Sequence, residues 1–334
     1  MNIENTILAG DVGGTKTLIA LFQEMNGLPV ALRKHEYVSR NFSCLENIIH
    51  DFLKGTEGIP MAAAFGIPGP VSNGIVKSTN LPWVIDEKIL IKKTGISRIK
   101  LMNDLAATAN SLPILASDEI INIKTGNPPE NPERYVVLAP GTGLGQSFLI
   151  HHDGKTIVIP SEGGHADFAP TNEIEAELYQ YLLKKYGHVS FERIISGSGL
   201  PNIFDFLVEI RKEIPEKETI EKMKTNDRAA VISEMALSKK DKVCEETLDL
   251  FISILGTHAG NLALTFLADG GVYLAGGIPF KILPKLRDGI FTKSFLNKGR
   301  MKSVLYPIPV NVITNSQAAL KGAAKVAFEI NKQQ

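Results

Sequence analysis

Three short apolar runs along the chain each lead into a turn that is rich in glycine. These runs, with the turns that follow them, are Ile7–Ala9 with Gly10–Thr15, Tyr135–Ala139 with Pro140–Gly145, and Val272–Ala275 with Gly276–Gly277. A short apolar run bounded by glycine predicts a buried strand. Strand-like residues resume at Leu18–Phe22 and at Ser147–Ile150. The pattern therefore predicts a strand–turn–strand unit twice, and a third glycine turn after a third strand.

The remaining segments read as further strands and as helices. Further strands are predicted over Met61–Phe65, Arg98–Met102 and Val310–Ile313. Composition and apolar spacing predict helices over Leu45–Lys54, Leu105–Leu112, Glu245–Leu267 and Gln317–Glu329. Two charged stretches, Glu173–Tyr186 and Leu200–Lys240, are typical of solvated amphipathic helices. Asp104 is thus predicted to lie at a strand-to-helix junction.

Length, charge and cysteine content narrow the class of protein. A chain of 334 residues is long for one core, which favours two domains and a cleft. Lys plus Arg and Asp plus Glu number 36 each, so the zero net charge indicates neither a nucleic-acid nor a membrane partner. Cys44 and Cys244 lack CxxC spacing, which argues against a zinc site and a disulfide framework. The start of the chain does not resemble a secretory signal, and no run of about 18 apolar residues occurs, so we expect a cytoplasmic protein.

The glycine turns are candidate phosphate-binding sites. Without a side chain, successive backbone amides can approach phosphate oxygens closely. The alternative is a plain hairpin connection, which is the commoner role of glycine between strands. Asp11 and Thr15 in the first turn and Thr142 in the second favour the phosphate interpretation. Carboxylate and hydroxyl groups can hold magnesium, its waters and phosphate oxygens.

Two better-known nucleotide motifs do not fit. Gly154-Lys155-Thr156 ends like a P-loop, but the position of the first glycine of that motif holds Leu149. The segment Gly141–Gln146 lacks the last glycine of GxGxxG, and no helix pattern follows it. The sequence therefore gives little support to a nicotinamide dehydrogenase.

The three turns together resemble the first phosphate, second phosphate and adenosine segments of the hexokinase and actin-like ATPase superfamily. Within it, the chain is most similar to the bacterial glucokinases over nearly its whole length. The resemblance implies an α/β, two-domain actin-like ATPase (ribonuclease H-like) fold with ATP in an interdomain cleft. The small α/β domain would comprise residues 1–113 and 315–334, and the large α/β domain residues 114–314. The implied ATP-binding residues are Asp11, Gly13, Gly14, Thr15, Lys16, Gly141, Thr142, Gly143, Gly276 and Gly277.

The resemblance also implies a magnesium ion at Asp11, directly or through water, and a homodimer. The related repressor and open-reading-frame kinases carry a cysteine-rich zinc cluster near their sugar-binding histidine. Here His165 is followed by Ala166–Pro170 with no cysteine nearby, so we expect no zinc. Lys16 replaces an asparagine common in the bacterial glucokinases, and Lys281 lies in an unusual adenosine loop.

A second set of segments is similar to the sugar site of the bacterial glucokinases. The segment Glu162–Pro170 matches an E-G-G-H-x-D-F-A-P pattern in which the glutamate and the histidine bind sugar hydroxyls, so the resemblance assigns Glu162 and His165 to glucose. It likewise assigns Glu192 and Asn80. The alternatives are a solvated surface loop for Glu162, and an ion pair with Arg193 or Lys184 for Glu192. We interpret Trp83 as a packing residue.

Asn103 and Asp104 match the catalytic pair of the family. The resemblance implies that Asp104 accepts the proton of the glucose 6-hydroxyl while Asn103 holds neighbouring hydroxyls, giving glucose 6-phosphate from ATP and glucose. The alternative is structural, since Asn and Asp are favoured residues before a helix. Other classes of the superfamily remain open: a kinase for another hexose, a sugar-responsive regulator, or a filament or chaperone ATPase. A regulator would need a DNA-binding segment, which we do not find in the sequence.

Overall fold

The structure is a computed structural model that describes residues 3–78 and 81–332. The described residues form fourteen β-strands. They are β1 (Ile7–Val12), β2 (Lys16–Met25), β3 (Leu28–Val38), β4 (Ala62–Ile67), β5 (Val71–Ser72), β6 (Ile75–Lys77), β7 (Val84–Asp86), β8 (Ile99–Asn103), β9 (Ile120–Lys124), β10 (Arg134–Pro140), β11 (Leu144–His152), β12 (Lys155–Ser161), β13 (Gly271–Leu274) and β14 (Val310–Ile313).

The same described residues form thirteen α-helices. They are α1 (Leu45–Phe52), α2 (Glu87–Thr94), α3 (Asp104–Ser111), α4 (Glu173–Tyr186), α5 (Gly199–Glu209), α6 (Lys217–Met223), α7 (Arg228–Leu237), α8 (Lys242–Phe266), α9 (Gly277–Lys281), α10 (Leu283–Leu286), α11 (Ile290–Leu296), α12 (Lys302–Leu305) and α13 (Ala318–Lys332). None of these helices is long and apolar enough to cross a membrane.

The chain divides into two units. Unit 1 comprises Met1–Glu119, Val158–Pro160 and Asn315–Gln334, and unit 2 comprises Ile120–Ile157 and Ser161–Thr314. The boundary that the sequence analysis gives at residues 113 and 114 stays a prediction.

A five-stranded sheet in the order β3-β2-β1-β4-β8 forms the centre of unit 1. β1 pairs antiparallel with β2 and parallel with β4, and β4 pairs parallel with β8. All six residues of β4 are buried, as expected for a central strand covered on both faces. Alternate residues of β1 face the two sides, so Leu8 packs with α1 and α2 while Ile7 and Ala9 pack with α3 and α13.

Small residues let α13 lie directly against α3. Ala323, Ala324 and Ala327 of α13 are fully buried in the same cluster as Ala107 of α3. A β-carbon added to Gly322 would come within 1.7 Å of the carbonyl oxygen of Ala107. The backbones of the two helices therefore touch at a point that only glycine permits.

Unit 2 has a six-stranded sheet in the order β12-β11-β10-β13-β14-β9. β10 pairs antiparallel with β11 and parallel with β13, and β13 pairs parallel with β14. The 25-residue helix α8 contributes most of its length to the core of this unit. The order β3-β2-β1-β4-β8 in unit 1 thus corresponds to β12-β11-β10-β13-β14 in unit 2. The first glycine turn connects β1 with β2, and the second connects β10 with β11 at the corresponding place. The α/β, two-domain actin-like ATPase fold (ribonuclease H-like) implied by the resemblance is confirmed.

Most predicted elements are confirmed, but several segments were missed. The long helix predicted over Glu245–Leu267 is α8, and the predicted stretch Leu200–Lys240 forms three separate helices, α5, α6 and α7. The missed elements include the edge strand β3, the small sheet β5-β6-β7, and the helices from α9 to α12. Trp83 is 4% exposed and lies in a core cluster, which confirms its packing role.

Candidate active site

The first glycine turn lies in unit 1 between β1 and β2, and Ser39 holds it. The N–H of Gly13 donates to the carbonyl oxygen of Lys16 at 2.8 Å, which closes the turn. The Ser39 hydroxyl donates to the carbonyl oxygen of Gly13 at 2.7 Å, and the Ser39 N–H donates to that of Thr15 at 3.0 Å. Ser39 carried no signal in the sequence. Thr15 is exposed, and the ammonium of Lys16 lies 2.6 Å from Glu36 in an exposed ion pair.

Asp11 stands at the end of β1 beside this turn. Burial raises the pKa of Asp11 to about 6, and the negative charge of Asp104 adds to the shift. The register places Asp11 beside Gly66 of β4. A β-carbon on Gly66 would come within 2.9 Å of the Ala107 side chain and 3.5 Å of the Asp104 Cα. Glycine at this position therefore lets the start of α3 approach the strand ends, so the two carboxylates share one neighbourhood.

Asn103, rather than Asp104, caps α3. Its side-chain oxygen accepts from the N–H groups of Leu105 at 2.9 Å and Ala106 at 3.4 Å, and its amide donates to the carbonyl oxygen of Gly69. Asp104 is the first residue of the helix, and its Oδ1 accepts from the Leu105 N–H at 2.8 Å. Both side chains are partly exposed. The structural role considered as the alternative for Asp104, capping the helix, therefore belongs to Asn103.

The second glycine turn lies in unit 2 between β10 and β11. The Gly141 N–H donates to the carbonyl oxygen of Gly143 at 2.9 Å, and the Gly197 N–H donates to that of Gly141 at 2.7 Å. A β-carbon at Gly141 would meet nothing within 4 Å, so the turn borders open space at the Gly141 Cα. Thr142 at the tip is exposed.

The third glycine turn packs against the end of β10. Gly276 has φ 86°, the left-handed region that favours glycine, and a β-carbon there would lie 3.2 Å from the Pro140 carbonyl oxygen. Gly277 begins the short helix α9, and a β-carbon at Gly277 would meet nothing within 4 Å. The second and third predicted nucleotide segments are therefore neighbours within unit 2.

Glu192 connects the second glycine turn with His165. Its Oε2 accepts from the Leu144 N–H at 2.9 Å, and its Oε1 lies 3.8 Å from the His165 Nδ1. A β-carbon on Gly143 would come within 2.5 Å of that Oε2, so glycine leaves room for the carboxylate. Arg193, the ion-pair partner considered above, lies instead over the Tyr186 ring at 4.3 Å.

The turn Glu162–His165 is held by its two glycines. A β-carbon on Gly164 would lie 2.0 Å from the Leu144 carbonyl oxygen, and one on Gly163 would lie 1.5 Å from the Gln146 amide nitrogen. Beyond the turn, the Phe168 N–H donates to the carbonyl oxygen of Val189, and the Phe191 N–H donates to that of Ala166. The two predicted sugar segments are thus joined by backbone hydrogen bonds. Glu162 and His165 are both exposed.

The structure brings the predicted residues together in two separate sets. Asp11, Asn103 and Asp104 lie together in unit 1, and Glu192, His165 and the turn Gly141–Gly143 lie together in unit 2. Asn80 lies outside the described residues. Within residues 3–78 and 81–332, no group of three His, Cys, Asp or Glu side chains forms a metal-binding cluster.

Comparisons with known proteins identify the family to which this chain belongs. The family model described as Glucokinase matches residues 8–330. The glucokinase of Nostoc punctiforme is 42% identical, and the alignment covers 97% of this chain and 99% of the relative. A crystal structure of glucokinase from an Antarctic psychrotroph is 30% identical with a TM-score of 0.85, covering 97% of this chain and 99% of that one. Glucokinase from Balamuthia mandrillaris, solved in complex with glucose, has a TM-score of 0.80 at 23% identity, covering 97% of this chain and 94% of that one.

Proposed function

The chain belongs to the glucokinase family, which makes it an ATP-dependent hexose kinase, and we propose that Asp104 is its general base. In this proposal the γ-phosphoryl group of ATP passes to the 6-hydroxyl of glucose, giving glucose 6-phosphate. The observation that carries the proposal is that Asn103 and Asp104 have different roles at the start of α3. Asn103 caps the helix, so the Asp104 carboxylate is not required as the cap.

Asp104 has a position suited to proton transfer. Its Oδ1 accepts a hydrogen bond from the Leu105 N–H at 2.8 Å, which restrains that carboxylate oxygen. A carboxylate held in this way can take the hydroxyl proton as the sugar oxygen attacks phosphorus. The bond that forms is between that oxygen and the γ-phosphorus, and the bond that breaks joins the γ-phosphorus to the leaving ADP oxygen.

Glucose recognition is assigned to Asn80, Asn103, Glu162, His165 and Glu192 alongside Asp104. Carboxylates accept two hydrogen bonds, while asparagine and histidine can both donate and accept, so these groups can pair with sugar hydroxyls. The Leu144 N–H bond to Glu192 supports this role, because it holds the carboxylate at one orientation.

The nucleotide role of the glycine turns rests on the space around them. The positions of Gly141 and Gly277 leave room for a ligand to approach the backbone, since added β-carbons would meet nothing within 4 Å. Asp11 fits a magnesium site through its chemistry, because a divalent cation beside it would favour the ionised carboxylate that burial disfavours. When bound with ATP, magnesium would neutralise charge that develops on the phosphate oxygens. The proposal includes no zinc, a cytoplasmic location, a place in glycolysis and a homodimer.

The test of the base assignment is Asp104→Asn, because asparagine removes the proton acceptor and keeps an oxygen for the Leu105 N–H. We expect kcat to fall by about 10² to 10⁴-fold, the range for a positioned general base. The measurement is ADP release with ATP, magnesium and a panel of glucose, mannose, glucosamine and fructose. Calorimetric glucose binding should change less than kcat does.

Asp86→Asn is the matched control, because Asp86 caps α2 in the same unit by accepting from the Lys88 N–H at 2.7 Å. It should retain wild-type kcat. A folded Asp104→Asn enzyme with more than about a tenth of wild-type kcat would refute the base assignment, since that deficit is under about 1.4 kcal/mol of barrier. No sugar-dependent ADP release from the wild-type enzyme would refute the kinase proposal itself.

A further inference from the structure

His258 is a buried histidine in the middle of α8, only 3% exposed. Its Nε2 lies 3.1 Å from the side-chain oxygen of Gln146, and its ring stacks on Phe191 with centroids 3.9 Å apart. Among the described residues its Nδ1 has no hydrogen-bond partner although it is buried. The Gln146 oxygen can only accept, so Nε2 carries the hydrogen. Burial first, and the charge of Lys298 second, lower the pKa of His258 to about 4, so the ring is neutral at physiological pH.

One series of side-chain contacts connects His258 with the turn that contains His165. The Gln146 amide nitrogen donates to the Ser161 hydroxyl at 3.3 Å, and that hydroxyl also accepts from the Gly163 N–H at 3.0 Å. Gly163 is the first residue of the short helical turn that ends at His165. The orientation of the Gln146 amide is therefore set by His258 on one side and by Ser161 on the other.

A second series of contacts connects His258 with Glu192. Phe191, on which the imidazole stacks, directly precedes Glu192 in the short turn Phe191–Arg193. Phe191 is 5% exposed and also packs edge-on against Phe168 at 5.6 Å. A displaced Phe191 ring would move the backbone that aims the Glu192 carboxylate at the Leu144 N–H and at His165.

Helix α8 packs closely against α11 on the face opposite His258. β-carbons added to Gly256 or Gly260 would each come within 2.5 Å of a carbonyl oxygen of α11, from Phe291 and Phe295 respectively. Residues two positions apart on a helix point in nearly opposite directions, about 160° apart at 3.6 residues per turn. The close contact between the two helices therefore fixes how far His258 projects toward Gln146 and Phe191.

We propose that His258 is a positioning residue for glucose binding, holding His165 through Gln146 and Ser161, and Glu192 through Phe191. The inference rests on the proposed function, because it assumes that His165 and Glu192 bind the sugar. His258 itself need not touch substrate. Its contribution is to keep two sugar-binding groups on different segments in one fixed relation.

Two substitutions at His258 test the two series of contacts separately. His258→Phe keeps an aromatic ring against Phe191 and removes the donor to Gln146, whereas His258→Gln keeps a donor near the Nε2 position and removes the ring. We expect His258→Phe to raise the glucose KM about tenfold, because a misplacement of about 1 Å can cost up to about 100-fold. The ATP KM should stay within about twofold of wild type in both variants. His258→Gln should raise the glucose KM by a smaller factor than His258→Phe, because it keeps the donor to Gln146 and loses only the ring that supports Phe191.

Gln146→Met removes the same contacts between His258 and Ser161 by changing the residue that connects them. It keeps the test available if His258→Phe fails to fold. It should raise the glucose KM by a similar factor, and combining it with His258→Phe should add little, because both remove one connection. Thr247→Val is the control, since Thr247 is buried on the same helix and its hydroxyl donates to the Val243 carbonyl oxygen. It should leave both KM values unchanged.

A glucose KM within twofold of wild type in both His258→Phe and Gln146→Met would overturn the inference. Equal changes in the glucose and ATP KM values, shared by Thr247→Val, would also overturn it, because they would indicate general loosening of unit 2. His165→Ala and Glu192→Gln distinguish this failure from failure of the proposed function. If these two variants bind glucose like wild type in calorimetry, the sugar-site assignment is wrong, whatever His258 does.

Discussion

Asp11 near the end of β1 and Asp104 directly after β8 place two acidic groups in one neighbourhood, although β4 lies between these two strands in the sheet. This arrangement costs stability, because both burial and the second carboxylate disfavour the ionised form of Asp11. A carboxyl group whose pKa is raised in the folded state holds its proton more tightly there than in the unfolded chain. Stability is therefore lost as the pH rises from about 4 to about 6, and the loss persists at higher pH.

We predict that Asp11→Asn stabilises the protein at pH 7.5 in the absence of nucleotide and magnesium, while lowering its kinase activity. The shift of Asp11 from 3.8 to about 6 corresponds to at most about 3 kcal/mol of unfolding free energy. The gain should shrink to under about 1 kcal/mol near pH 4, where Asp11 is protonated in the folded state and about half protonated in the unfolded chain. Urea unfolding at both pH values measures it, with Asp118→Asn, an exposed side chain of unit 1, as the control. An equal effect of Asp11→Asn at both pH values would contradict the prediction.

Several candidate site residues are indicated by the sequence alone, because their functional groups lie in short contiguous segments. The glycine turns, Asn103-Asp104 and Glu162–His165 are each short segments whose residue types point to a ligand. Ser39 and His258 could not be predicted in this way. Ser39 reaches the first turn from 26 residues away, and His258 reaches Gln146 from 112 residues away, so only the fold reveals their roles.

At the scale of elements, prediction worked best where a single pattern dominates. The helix α8 has an apolar stripe over 25 residues, and β4 is a wholly buried run. β3 escaped prediction because it is an edge strand that pairs with β2 alone in its sheet, and it mixes a proline and charged residues with apolar ones. The stretch Leu200–Lys240 breaks between α5 and α6, where Lys212 has φ 62° and Pro215 precedes the next helix.

The contact between α13 and α3 leaves no room for a side chain at Gly322. Alanine is favoured over glycine in a helix by about 1 kcal/mol, so Gly322→Ala would stabilise an isolated α13. Here the added carbon would lie 1.7 Å from the Ala107 carbonyl oxygen, and the helices must separate. We expect a net loss of about 1 to 3 kcal/mol, the usual cost of overpacking.

Because α3 begins at Asp104, the same substitution should lower kcat at a temperature where the enzyme is fully folded. Thermal unfolding and steady-state kinetics of Gly322→Ala measure both effects. Lys321→Ala tests the neighbouring position, where the side chain pairs with Glu119 rather than with α3. A Gly322→Ala protein as stable as wild type would show that the two helices do not pack this closely.

At the scale of the whole molecule, the two units share a strand order but hold different chemistry. Unit 1 contains the Asp11 and Asp104 carboxylates, and unit 2 contains Glu162, His165 and Glu192. The apolar cluster of unit 2 draws its buried residues from Val136 to Val312, and those of unit 1 form clusters of their own. Each unit therefore has an apolar core of its own, and the residues assigned to the proposed reaction are divided between the two units.

We predict that a fragment spanning residues 120–314 folds by itself and is inactive. It retains all six strands of its sheet and the α8 core, so it should unfold in one cooperative transition by circular dichroism. It lacks Asp104, so ADP release with glucose should not exceed the background, even at a fragment concentration far above that of the full chain. Full-length Asp104→Asn, which keeps both units, serves as the matched inactive protein. A fragment without a cooperative transition would contradict the independence of unit 2, and glucose phosphorylation by the fragment would contradict the assignment of the base to Asp104.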